Sequence, residues 1–326
     1  MKIALFDAKP YDRKHFSADA EKYGYELVYI EPALSKHTAI LARGCDVVCP
    51  FVDCTVDSDT IDILKAEGVR LIALRSAGFN NVDYKYAEKN GIPVVRVPAY
   101  SPYAVAEHSF ALLLALVRKL THAYVRTREF NFSLTGLVGT DLHGKTIGII
   151  GAGKIGRVAI DIAKGFGMRV LVSDPFAEAI EGTEKADLER IMSESDIISL
   201  YCPLTDSNHH MINKETISMM KRNALIINTS RGALIDSNAL LEALKDRKIG
   251  GAALDVYEEE AGIFYQDQSD TGIEDDTLAR LISMPNVIIT SHQGYLTEDA
   301  LAAISATTME NIKQFEEGKE LANIVK

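Results

Sequence analysis

The chain has 326 residues, 47% of them hydrophobic and 25% charged, a globular composition that excludes disordered-tail and collagen-like classes. Lys and Arg number 35 against 46 Asp and Glu, a net charge of −11, which disfavours a broad interface with a nucleic-acid backbone. No nucleic-acid partner is therefore expected, and at ~100–200 residues per domain the length predicts two domains.

The four cysteines, Cys45, Cys49, Cys54 and Cys202, lack paired C-x-x-C spacing. They read as buried reduced thiols, with no disulfide and no metal expected. Met1–Asp7 has the pattern of a first strand rather than of a signal peptide. The most apolar stretch, Ala111–Val117, stops at Arg118-Lys119, too short to span a bilayer. A cytoplasmic protein with no membrane partner is expected.

Short β-branched runs alternate with helix-period segments, the signature of parallel α/β architecture. The first third offers strands at Lys2–Asp7, Glu26–Ile30, Val47–Phe51, Leu71–Leu74 and Val94–Val97. A helical pattern then starts at Ser101-Pro102, where Ser can cap and Pro suits the first position, and carries apolar residues through Val117. From Lys145 a second series follows, with strands at Thr146–Ile150, Arg169–Ser173, Ile197–Leu200, Ala224–Asn228, Ala252–Asp255 and Val287–Thr290. These runs are apolar throughout, as strands covered on both faces should be. The tail Glu298–Lys326 reads as one amphipathic helix, and the sequence permits its return to the first domain.

Gly151-Ala152-Gly153-Lys154-Ile155-Gly156 directly follows the strand Thr146–Ile150 and opens a helical pattern. This is the context that makes G-x-G-x-x-G a dinucleotide signal. The first glycine permits the turn, the second admits a pyrophosphate and the third allows helix–strand packing, with free N–H groups aimed at the anion. Asp174 ends the next strand, 23 residues after Gly151, where a carboxylate accepts from the adenosine ribose and repels a 2′-phosphate. NAD is therefore expected over NADP. Lys154 also admits a simple solvated role.

Of the eight histidines, His292 is set apart because it follows an apolar strand and precedes Gly294. Ligands in open α/β sheets bind at the carboxyl ends of strands. Arg231 stands just past one neighbouring strand and the acidic run Glu258–Glu260 past another. Singly these are ordinary surface charges; jointly they suggest a shared cleft. His108, inside the long helix, has packing or a solvent-facing role as its default.

The chain resembles the D-isomer-specific 2-hydroxyacid dehydrogenase family, and within it most of all the lactate-specific fermentative members of bacteria. The resemblance rests on Arg75–Asp83, Val97–Pro102, Ala104–His108, the glycine motif, Asn228–Asp236, Asp255–Glu260 and Ser291–Tyr295. It implies two doubly wound parallel-sheet domains: a flavodoxin-like substrate domain, residues 1–99 plus 299–326, and a Rossmann NAD-binding domain, residues 100–298. It also implies a homodimer formed through the cofactor domains and a cleft that closes.

By the same resemblance His292 is the general acid toward the keto oxygen, and the base in reverse. Imidazole suits this, with a reference pKa of about 6.5. Glu260 orients His292 and stabilises imidazolium, and Arg231 grips the substrate carboxylate as a rigid, permanently charged fork. Backbone amides at Ala77 and Gly78 supply a second carboxylate contact, and Tyr100 and Tyr295 flank the substrate. Cys202, Pro203, Asn208, Thr229 and Ser230 line the cofactor with the glycine motif and Asp174, and Asp255 lies near the nicotinamide.

Cys202 and Asn208 have no chemical signature of their own. Many family members carry Asn after the hinge Ser-Pro; this chain has Tyr103, so no polar hinge role transfers there. The implied activity is reversible NADH-dependent reduction of pyruvate to D-lactate. Reduction of hydroxypyruvate, glyoxylate or a branched 2-keto acid is the same-class alternative, and an NADH-sensing, corepressor-like binding protein is the different-class one.

Overall fold

A computed structural model describes residues 1–326, which divide into two compact units. One is Met1–Ser101 with Leu296–Lys326, the other Pro102–Tyr295.

In the first unit, β1 (Lys2–Phe6), β2 (Glu26–Ile30), β3 (Val47–Cys49), β4 (Leu71–Ala73) and β5 (Val94–Val95) form a parallel sheet in the order β2-β1-β3-β4-β5. This is the doubly wound, flavodoxin-like order. β3 stops short of the expected Phe51, since Pro50 has no N–H to give the ladder. β5 is shorter than the expected Val94–Val97 because the following amides turn elsewhere: Arg96 N–H donates to Asn323 O (3.1 Å) and Val97 N–H to Ser76 O (3.0 Å).

The tail also departs from expectation. Its helix covers Glu298–Glu316, capped by the Thr297 side chain, and does not run to Lys326. Gly318 takes a left-handed φ of +66°, which glycine adopts without steric cost. The last residues instead extend along the sheet edge: Ile324 bridges Val95 antiparallel and Val325 N–H donates to Val94 O (2.8 Å). The helix buries Leu301, Ile304, Met309 and Ile312 and packs on the helix Pro10–Tyr23.

In the second unit, β6 (Thr146–Ile150), β7 (Arg169–Ser173), β8 (Glu184–Lys185), β9 (Ile197–Leu200), β10 (Leu225–Asn228), β11 (Gly251–Leu254) and β12 (Val287–Ile289) form a parallel sheet in the order β12-β11-β10-β9-β6-β7-β8. The order reverses between β6 and β9, as in a dinucleotide-binding fold. Successive side chains point to opposite faces. Ile147, Ile149, Val170, Val172 and Ile227 enter one core, and Ile150, Leu171, Ile198, Leu200 and Ile226 the other. Coverage on both faces is why these strands read as unbroken apolar runs. β8, two exposed charged residues paired only to β7, lacks that signal and was not expected.

The apolar helix Pro102–Val117 buries Ala106, Phe110, Leu113 and Val117 in the first of these cores. It ends before Lys119, which takes a left-handed φ of +52°. Beyond it Leu120, Tyr124, Phe130, Phe132, Leu134 and Val138 are exposed. No helix is long and apolar enough to cross a membrane.

Candidate active site

The chemistry-bearing residues of the second unit stand just past the carboxyl ends of its strands. Gly151 follows β6, Asp174 follows β7, Cys202 lies past β9 and Thr229–Arg231 past β10, while Asp255–Glu260 follow β11 and His292 lies past β12.

The glycine loop has the shape its sequence implies. Gly151 has φ +95°, and a Cβ there would lie 2.6 Å from Cys202 N. A Cβ at Gly156 would fall 2.0 Å from Gly151 O, whereas at Gly153 nothing lies within 4 Å. Gly153 caps the helix Lys154–Gly165, so an anion can approach the N–H groups that begin at exposed Lys154 and half-buried Ile155. The loop fits a dinucleotide pyrophosphate. Asp174 accepts from Ala152 N–H (2.7 Å) at Oδ2, and from Phe176 and Ala177 N–H (2.8 and 3.0 Å) at Oδ1. Partial burial opposes its ionisation, but these N–H groups and Lys185 outweigh it and hold the carboxyl below the usual carboxylate range. Oδ2, with one protein donor, keeps acceptor capacity for a ribose hydroxyl.

The other expected cofactor residues divide. Ser230 Oγ donates to Cys202 O (2.6 Å) and ties the ends of β9 and β10 together. Thr229 Oγ1 is buried with no hydrogen-bond partner, an unusual state for a buried hydroxyl. Burial pushes the Cys202 thiol up to about 11, so it is neutral. Asn208 closes its own loop, donating to Pro203 O (2.8 Å) and accepting from Thr205 N–H (2.7 Å).

The three expected catalytic residues all lie in this unit. His292 Nδ1 is 2.8 Å from Glu260 Oε1, both side chains being about one-quarter exposed. Glu260 Oε2 accepts from Tyr257 N–H (3.0 Å). With Nδ1 committed to Glu260, Nε2 is the ring atom left to act outward. His292 has φ +52°, a conformation costly to a residue with a Cβ, and its backbone is pinned at both ends. Its N–H donates to Asp255 O (2.7 Å) and its carbonyl accepts from Tyr265 Oη (3.0 Å). Arg231 donates from Nη1 to Ser230 O (2.7 Å) and pairs with no carboxylate.

Asp255 is enclosed by the protein. It is 1% exposed and its carboxylate is taken up by the protein. Oδ1 accepts from Thr290 Oγ1 (2.6 Å) and Gln293 N–H (2.9 Å) and lies 3.1 Å from His108 Nε2, while Oδ2 accepts from Gly294 N–H (2.8 Å). Burial works against its ionisation, yet His108, Thr290 and the Gln293 amide hold its carboxyl below the usual range. Asp255 thus shapes the turn carrying His292 rather than facing open space. Sequence reasoning missed His108 and Thr290 as partners; a histidine on a helix that is mostly apolar was the available signal.

In the first unit, Arg75 is 4% exposed and donates to Cys49 O (2.8 Å) and Asp7 O (2.9 Å). It thereby fixes the start of the loop Ser76–Gly78. Ser76 Oγ donates to Gly78 O (2.8 Å) and Arg96 to Ala77 O (2.9 Å), while no protein acceptor takes the N–H of Ala77 or Gly78. Tyr100 belongs to this unit and Tyr295 to the other, each half-buried.

Residues 110–294 match the model of the D-isomer specific 2-hydroxyacid dehydrogenase NAD-binding domain. The D-lactate dehydrogenase of Escherichia coli K12 is 48% identical over 326 residues, 99% of each chain. The chain belongs to the D-isomer-specific 2-hydroxyacid dehydrogenase family.

A solved structure of the pyruvate reductase of Chlamydomonas reinhardtii superposes with a TM-score of 0.95 at 41% identity, over 99% of this chain and 98% of that one. The aromatic 2-oxoacid reductase of Clostridium sporogenes is 42% identical over 319 residues, 97% of this chain and 96% of that one. The chain is thus an NAD-binding D-2-hydroxyacid dehydrogenase, and its NAD-binding domain contains the glycine loop, Asp174, Arg231 and Glu260–His292.

Proposed function

We propose that this dehydrogenase interconverts pyruvate and D-lactate with NAD as its cofactor. The observation that carries the reading is the 2.8 Å pair of His292 with Glu260, on strand ends next to that of Arg231, a guanidinium without a carboxylate partner. An ion pair is absent where a substrate carboxylate would supply one. NADH, when bound, supplies the hydride. Arg231 holds the carboxylate of the 2-keto acid in a two-pronged grip, joined by the N–H groups of Ala77 and Gly78. His292 gives its Nε2 proton to the keto oxygen as negative charge develops there. Glu260 holds Nδ1 of the imidazole and keeps the ring turned, with Nε2 facing outward.

Gly151, Gly153, Lys154, Ile155 and Gly156 hold the pyrophosphate, and Asp174 the ribose. Thr229 and Ser230 line the cofactor beside Cys202 and Pro203, with Tyr100 and Tyr295 flanking the substrate. The near full-length likeness to the Escherichia coli enzyme favours pyruvate among 2-keto acids. The working unit is a homodimer built on the NAD-binding unit, where Phe130 and Val138 are 83% and 85% exposed in an apolar segment that a second copy would cover. The protein works in a reducing compartment, in keeping with its four free cysteines, three of them buried.

Loss of NADH absorbance, followed with pyruvate, hydroxypyruvate, glyoxylate, 2-ketoisocaproate and phenylpyruvate, tests the reading. The highest kcat/KM is expected with pyruvate. A preference for phenylpyruvate would place the chain with the aromatic reductases, and no turnover on any of them would favour a binding role.

A further inference from the structure

Past β9 the chain carries adjacent histidines, His209 and His210, which have no part in the reaction above. Neighbouring side chains ordinarily diverge. Here His210 has φ +51°, and both rings come to the same side, stacked with centroids 3.9 Å apart at 30°. Glu258, past β11, completes the group: its Oε1 makes a close contact with His210 Nε2. One ligating atom from each of the three lies within 4.8 Å of the others.

Two of these residues are held in place. His210 N–H donates to Ala233 O (2.9 Å), its carbonyl accepts from Asn213 Nδ2 (3.0 Å), and Glu258 Oε2 lies 3.4 Å from Ser237 N. His209 is exposed, so its ring can turn by the small amount that closing on an ion requires.

We propose that His209, His210 and Glu258 form a binding site for a divalent transition-metal ion of the zinc, cobalt or nickel class. Two imidazoles and one carboxylate are the donor set such ions take, with bond lengths of ~2.0–2.2 Å in the zinc case. Magnesium and calcium favour all-oxygen shells and fit poorly. Three protein ligands on a solvent-facing patch leave the remaining positions to water.

The location gives the site a consequence. His210 is bonded to the loop that follows Arg231, and Glu258 lies in the turn that ends at Glu260. These two segments already touch, since a Cβ on Gly232 would lie 2.1 Å from the Tyr257 carbonyl carbon. A bound ion therefore ties the β9, β10 and β11 ends together from outside the reacting groups. The site does not depend on which 2-keto acid is reduced.

The test is titration of the reduced, EDTA-stripped full chain with Co²⁺, read by visible absorption, with Zn²⁺ as competitor. A single ion per chain is expected, with spectral bands of nitrogen and oxygen ligands. His209→Ala and Glu258→Gln should each weaken binding by at least ~10–100-fold, the loss that even outer-shell substitutions cause, while His37→Ala leaves it unchanged. NADH binding by the His209→Ala protein, measured alongside, should match wild type and shows that the fold is intact. Absence of Co²⁺ binding, equal binding in His209→Ala, or thiolate charge-transfer bands would each overturn the proposal and leave His210 and Glu258 as a hydrogen-bonded pair.

Discussion

Asp255→Asn puts the turn that carries His292 to the test. The wild-type carboxylate serves Thr290, Gln293, Gly294 and His108 from a position 1% exposed. An amide retains one acceptor oxygen and points an N–H₂ at donors on the other side. Whichever way it turns, one or more buried donors lose a charged partner, each such bond being worth ~1.5–3 kcal/mol. Relief of carboxylate burial offsets part of this, so a net loss of about 3 kcal/mol in stability is expected. The turn at residues 292–294 then shifts, and a misplacement near 1 Å costs about 10²-fold in rate.

The expected result is a kcat lowered by about that factor, with the dissociation constant for NADH close to wild type. Loss confined to NADH affinity would make Asp255 a cofactor-positioning residue and not one that sets His292. Unchanged kcat and denaturation midpoint would mean that the Asp255 carboxylate does not hold the turn. The pH dependence follows from the sign of the shift. The folded-state pKa lies below the unfolded value of about 3.9, so the stabilisation is present in full above that value and fades as pH falls through the folded pKa. The gap between wild type and Asp255→Asn should therefore be wide at neutrality and narrow in strong acid. A gap that widens on acidification would contradict the assignment.

His292→Ala should lower pyruvate turnover by ~10²–10⁴-fold, the usual contribution of positioned acid catalysis, with NADH binding retained as judged by its fluorescence. Arg231→Lys keeps the charge and loses the fork, and kcat/KM for pyruvate should fall ~10–100-fold; an unchanged value would remove Arg231 from the substrate. Asp174→Ala should raise the NADPH-to-NADH ratio of kcat/KM, at a cost in stability because three backbone amides lose their acceptor; a wild type that already uses both equally would contradict its role. Replacing Phe130 and Phe132 together by Glu should turn dimers into monomers in light scattering, and a wild type that is already monomeric would remove the case for a dimer.

Most of the architecture was legible because its determinants are local. Strands with both faces covered announce themselves as apolar runs, and the glycine loop carries its geometry in three residues that tolerate no side chain or must admit a ligand. What escaped was set at a distance. Glu184–Lys185 becomes a strand only because β7 offers it an edge. The tail leaves its helix at Gly318 to pair with β5, a partner more than two hundred residues earlier. Asp255 is expected near the nicotinamide only through the family resemblance, and its bond to His108, 147 residues away, leaves no local signal in the sequence. The nearness of His209 and His210 to Glu258 depends likewise on two strand-end loops that sequence spacing does not relate.

The configuration of the product decides whether this enzyme is a D-lactate dehydrogenase. Purified protein, pyruvate and NADH are incubated together and the hydroxy acid formed is resolved by chiral chromatography. D-lactate is expected in an amount equal to the NADH oxidised. L-lactate, or stable NADH in the presence of pyruvate, would contradict that assignment.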